Sequence, residues 1–188
     1  VEVTAFDEFG NPFTPEVNWT VSPNAGSIND DGDFEAGSTV GSYTDGLIAR
    51  VGVAELAVEV EITAGPVAHL NIQPTPVTVN ANNSIQLTAT PVDRFGNTVS
   101  NTSIIWSIEA GGGQINSNGL FSAFSTAGTF TDTIVASGAG IEQRVTAIVR
   151  PSAATRISLS PATVSLIPLE EQQIGLMVFD TNNNMIDP

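Results

Sequence analysis

The chain has 188 residues with twenty acidic side chains against five Arg, no Lys and no Cys, giving a formal net charge of −15. This excludes disulfide staples and thiol chemistry, and it argues against nucleic acid, whose phosphates need cationic partners, and against electrostatic adhesion to anionic lipid. No run approaches the length of a membrane helix, so no membrane insertion is expected in this segment.

Period-two alternation runs through the chain, and helical stripes are hard to find. Early in the chain, residues 54–62 place Glu55, Glu59 and Glu61 on one face and Leu56, Val58, Val60 and Ile62 on the other. Further on, strands are predicted at 67–73, 76–79, 84–92, 102–108, 119–123, 128–137 and 140–149. Thr, Val and Ile dominate these runs, as strands prefer. Phe-Gly-Asn, Asn-Gly and Gly-rich turns separate them. Seven short strands in about 85 residues predict an all-β fold, a Greek-key β-sandwich of immunoglobulin-like type. Its core is expected to hold Leu70, Ile72, Val77, Ile85, Leu87, Trp106, Ile108, Ile115, Phe121, Phe130, Ile134 and Val145.

The sequence also repeats itself at a spacing of 86 to 87 residues. Asp7-Glu8-Phe9-Gly10-Asn11 returns as Asp93-Arg94-Phe95-Gly96-Asn97 and degenerates into Asp180-Thr181-Asn182-Asn183-Asn184. Trp19 returns as Trp106, Phe34 as Phe121, and Gly41-Ser42-Tyr43-Thr44-Asp45 as Gly128-Thr129-Phe130-Thr131-Asp132. A period this long is that of a whole small domain in an array. The Pro-containing junctions at Pro66 and Pro151 divide the chain into residues 1–65, an immunoglobulin-like domain lacking its first strands; 66–150, a complete domain; and 151–188, the first strands of a third. Open strands at one end and spare strands at the other are complementary. The expected partners are therefore neighbouring repeats of the same protein, joined in one polypeptide, with a strand-donating homopolymer as the alternative.

The order Pro…Val-Thr-Val…Ile-Gln-Leu-Thr-Ala…Asp-x-Phe-Gly-Asn…Trp-Ser-Ile…Asn-Gly-Leu-Phe-Ser-Ala…Ala-Gly-Thr-Phe resembles the bacterial Ig-like (Big) domain. That repeat builds the stalks of invasin, intimin and many prokaryotic surface proteins. The resemblance covers nearly the whole chain. It implies an extracellular, cell-surface array that acts as a rigid spacer or assembly element of a stalk, fibre, filament or surface layer. The alternative is an adhesin or carbohydrate-binding repeat. The resemblance hands over no catalytic residues, and an enzyme is not expected.

The candidate sites are few. Asp30, Asp31 and Asp33 lie on a Gly-containing loop whose oxygens suit calcium. The counterpart loop Asn116-Ser117-Asn118-Gly119-Leu120 has lost every carboxylate, which favours a solvated turn and no required cofactor. Asn18, Asn82 and Asn101 head Asn-x-Ser/Thr sequons that permit glycosylation. His69 is the only His, so a zinc site or a Ser-His-Asp triad is not expected. Trp19, Trp106, Phe34, Phe121, Phe9 and Phe95 are expected in the structural core. In the repeated loop, Asp should cap the turn, Gly should supply positive φ, and Phe should plug the end of the sandwich.

Overall fold

The structure is a computed structural model that describes residues 4–14 and 16–186. Among these residues every regular element is a strand. The chain divides into two compact units, Val1–Pro66 with Val92–Val99, and Val67–Pro91 with Ser100–Pro188. The first unit's longer segment ends at Pro66. The Val92–Val99 segment, however, belongs by sequence to the second repeat and by packing to the first unit.

The second unit contains the complete sandwich. One sheet runs Ile105–Ile108, Gly128–Gly138, Ile141–Arg150 and Val77–Asn80, antiparallel except for the last pair, which is parallel. The facing strands are His69–Gln73, Ser84–Gln86, Thr88–Val92, Gly113–Ile115 and Leu120–Ala123. The predicted strand 84–92 is broken at Leu87, whose N–H turns to the Gly119 carbonyl at 2.9 Å. Its first half pairs with Leu120–Ala123 and its second with His69–Gln73. The strand Gly113–Ile115 was not predicted, because two glycines before it and a three-residue length leave too little alternation to read. All twelve expected core residues lie in the buried cluster or pack directly against it. Phe121, Leu87, Ile134 and Val77 are its largest fully buried members. Gly119 is required there. It sits at φ +82°, and an added Cβ would meet the Leu87 carbonyl oxygen at 2.6 Å.

The same unit ends in the antiparallel strands Ala154–Ser160, Gly175–Asp180 and Met185–Ile186. The first unit holds the sheet Asn18–Val21, Gly41–Val51 and Ala54–Ile62, the hairpin Gly26–Ile28 with Phe34–Ala36, and the pair Ala5–Phe6 with Pro12–Phe13. Both long strands, Gly41–Val51 and Gly128–Gly138, carry a register shift at a residue with positive φ, Asp45 or Asp132. The expected alternation of Ala54–Ile62 is present as a gradient, with Ile62 buried and Leu56 68% exposed. Val145, the counterpart of Val58, is buried in the complete sandwich, while Val58 itself is exposed. A covering strand therefore decides burial here, not the side chain's own hydrophobicity.

Candidate functional site

The repeated loop is tied internally in the same way at all three places. Asp7 accepts the N–H groups of Phe9 and Asn11 at 2.9 and 2.8 Å, and the Asn11 amide donates back to its carboxylate at 2.9 Å. Asp93 accepts from the Phe95 and Asn97 N–H groups and the Asn97 amide, each at 2.9 Å. Asp180 accepts from Asn182, Asn184 and the Asn184 amide at 2.8, 2.9 and 2.8 Å. The residue before the closing Asn is left-handed each time: Gly10 at φ 82°, Gly96 at 88° and Asn183 at 62°. Gly and Asn tolerate that region. The capping role of Asp and the positive φ are as the sequence implies.

Two of the loops reach further. The Asn97 amide donates to the Ser38 carbonyl at 2.8 Å, and its oxygen accepts the Val40 N–H at 3.3 Å. Asp93 accepts the N–H of Gly65, beside the proline junction, at 3.0 Å. In the second unit the Asn184 amide donates to the Ser125 carbonyl at 2.7 Å and accepts the Ala127 N–H at 2.8 Å. Asp180 accepts the Ser152 N–H at 2.9 Å and its hydroxyl at 3.1 Å. Ser38 and Ser125, Val40 and Ala127, Gly65 and Ser152 are each 87 residues apart, as are the Asp and Asn residues that bind them. A primary amide offers a donor and an acceptor side by side. Asn therefore reads a carbonyl and an N–H two residues apart as a neighbouring strand would. Aspartate in its place would have no hydrogen to give the carbonyl.

Docking buries the carboxylates. Asp93 and Asp180 are 3% and 2% exposed, whereas Asp7, with the same internal bonds, is exposed. Each buried carboxylate is satisfied by backbone and amide donors, as burial of a charge demands. The Asn97 amide is the main reason the Asp93 carboxyl falls to about 2. Burial pushes the other way, and the Gly65, Asn97 and Phe95 N–H groups add to the lowering. At Asp180 burial pushes the carboxyl up most strongly, and the Asn184 amide with the Ser152, Asn184 and Asn182 N–H groups more than reverses it. The Asn11 amide lowers the Asp7 carboxyl as well. The assembly fastens a loop, a proline junction and a hairpin end to one another.

The sequence hid these docking partners, because Ser38, Val40, Gly65, Ser125, Ala127 and Ser152 take part mostly through their backbones. One signal was available. The third loop loses Phe and Gly but keeps Asp and Asn four residues apart, and those two are the residues that dock.

The aromatic expectation needs correction. Phe9 and Phe95 are 81% and 56% exposed and plug nothing. The inner side of the loop is taken by Asp and Asn, so Phe95 turns outward under the Arg94 guanidinium, 4.4 Å from its ring centre. Phe121 is fully buried, Trp106 is half-buried against the core, and Trp19 and Phe34 are half-buried. The acidic loop is a hairpin turn closed by Asn29, which accepts the Asp33 N–H at 2.7 Å. Asn116 closes the counterpart turn through the Asn118 and Leu120 N–H groups. Asp30, Asp31 and Asp33 are exposed, and among the described residues no three acidic, His or Cys side chains are gathered as a metal site. Asn18, Asn82 and Asn101 are all exposed. His69 lines an open cleft of about 700 Å³ with Asp132 and Arg144, and Arg144 is paired with Glu109 and Glu142.

No family model matches the chain, and no curated protein matches it. Solved structures do. The Escherichia coli adhesin FdeC is 16% identical over 97% of this chain and 65% of its own, with a TM-score of 0.51. The fold is immunoglobulin-like. Domains 1–6 of the surface-layer protein SbsC match at 15% identity over 97% of this chain with a TM-score of 0.42. Invasin, a bacterial integrin-binding protein, matches at 18% over 97% with a TM-score of 0.42. This chain spans 26% of the SbsC chain and 43% of the invasin chain.

Proposed function

We propose that these repeats are a spacing and assembly element of a prokaryotic cell-surface stalk, fibre or surface layer, outside the cell and without catalytic activity. The observation that carries this reading is the recurrence of one joint. Asp93 with Asn97, and Asp180 with Asn184, make the same bonds 87 residues apart. A protein that repeats these bonds as faithfully as its core builds each unit to one pattern, as a spacer made of like units requires. Surface proteins such as FdeC, described as an adhesin, share the fold and support the setting. Trp106 is half-buried and packs against the core, so it is not a free sugar-stacking platform.

Strands of eight to eleven residues at about 3.3 Å per residue make each repeat roughly 25–35 Å long. In-frame removal of one 87-residue step from the native surface protein should shorten the structure by about that length in negative-stain images. Unchanged length, or loss of a specific ligand with no change in length, would count against a spacer.

A further inference from the structure

The three loops differ in one respect. Asp93–Asn97 and Asp180–Asn184 pairs are docked, while the 7–11 loop makes every internal bond of the motif and, among the described residues, no side-chain bond beyond itself. Among the described residues its Asn11 amide donates only to Asp7, although its docked counterparts also bind a hairpin end. Asp7 is exposed where Asp93 and Asp180 are buried. The loop thus holds its docking shape with no side-chain partner beyond itself among the described residues.

We infer that the 7–11 loop is a docking surface for another immunoglobulin-like repeat of this kind. The partner offers a backbone carbonyl and an N–H two residues apart at a hairpin end, with a junction N–H for the carboxylate. The chemistry is explicit. Asn11 supplies donor and acceptor to the hairpin end, as Asn97 does to Ser38 and Val40, and Asp7 accepts the junction N–H, as Asp93 does from Gly65. The partner's side chains matter little at these points. Val40 and Ala127 differ, and so do Gly65 and Ser152, yet the backbone bonds are the same. Recognition is therefore of backbone shape, and any repeat with this hairpin end qualifies. This inference rests on the spacer reading and names the partner of the same joint.

Its test is a head-to-tail fusion of residues 1–173 to the full chain, with only the first copy isotope-labelled. Val1 of the second copy then takes the place of Ile174, and Asp7 and Asn11 fall where Asp180 and Asn184 stand. Amide hydrogen exchange is read at Ala127 and Ser152 of the first copy. With Asn11 present these amides should exchange at least about tenfold more slowly than with Asn11→Ala in the second copy. Asn184→Ala in the original chain should produce the same loss at the same two amides. Asn11→Asp, which keeps the size and removes the donor, should behave like Asn11→Ala if the fold is intact by its core amides. Equal exchange with and without the Asn11 side chain would overturn the inference. It would leave the spacer reading standing, since that rests on Asn97 and Asn184.

Discussion

The side-chain amide of Asn97 lies against the backbone of Ser38 and donates to its carbonyl at 2.8 Å, across 59 residues of sequence. The bond converts a local turn into a fastening. The turn needs only Asp93 and the backbone of its own loop, whereas the fastening needs an amide with a free hydrogen and a free oxygen. Asn11, with the same turn and no such contact among the described residues, is the internal control.

Asn97→Ala should therefore destabilise the protein by about 2 kcal/mol, at about 1 kcal/mol for each of the two long-range bonds. Asn11→Ala should stay within about 0.5 kcal/mol, as surface changes away from such features do. Urea unfolding followed by Trp fluorescence measures both. Similar losses in the two variants would mean that the amide serves only its own turn.

Acid should loosen the joint in a defined window. The Asp93 carboxyl is lowered to about 2 in the folded protein, from an ordinary value of 3.8. The unfolded chain then binds more protons than the folded one between those values. The associated stability is complete above about pH 4 and is lost as pH falls towards about 2. Asp180 is lowered in the same sense and adds to the loss. Melting temperatures taken from pH 7 to pH 2 should show Asp93→Asn less stable at neutral pH, with a flatter decline below pH 4. Parallel curves for the variant and the parent would remove Asp93 from the account.

In the core, Phe121→Ala should cost about 3–5 kcal/mol, since the ring is fully buried between the sheets. Trp106→Ala should cost less, because Trp106 remains half-exposed while it packs on that core. Denaturant midpoints at constant slope decide the order of the two.

Calcium should be dispensable. Asn29 and Asn116 close the two equivalent turns, and the second does so without a carboxylate in its loop. A chelator should leave the melting temperature unchanged. A fall of several degrees would show that a bound ion stabilises the folded state.

Much of this fold was legible from alternation. The core residues of the complete repeat were named from period-two runs because a strand buried on one face must alternate. The break at Leu87 was not legible, since it depends on the partner each half-strand finds. The aromatic expectation at Phe9 and Phe95 failed for a related reason. A Phe beside Gly reads as a plug only if the loop folds inward, and here the polar pair occupies the inner side. The joint itself was half-visible. Its Asp and Asn could be seen recurring, but their partners are backbone atoms of unremarkable residues, which carry no sequence signature.

The fastening is read most directly at the backbone groups that Asn97 and Asp93 bind inside the first unit. The Val40 N–H bonds to the Asn97 amide oxygen and the Gly65 N–H to the Asp93 carboxylate, so amide hydrogen exchange at these two residues measures it. On Asn97→Ala both amides should exchange at least about tenfold faster while the core amides stay protected. Unchanged exchange at Val40 and Gly65 in the folded variant would show that the Asn97 amide fastens nothing.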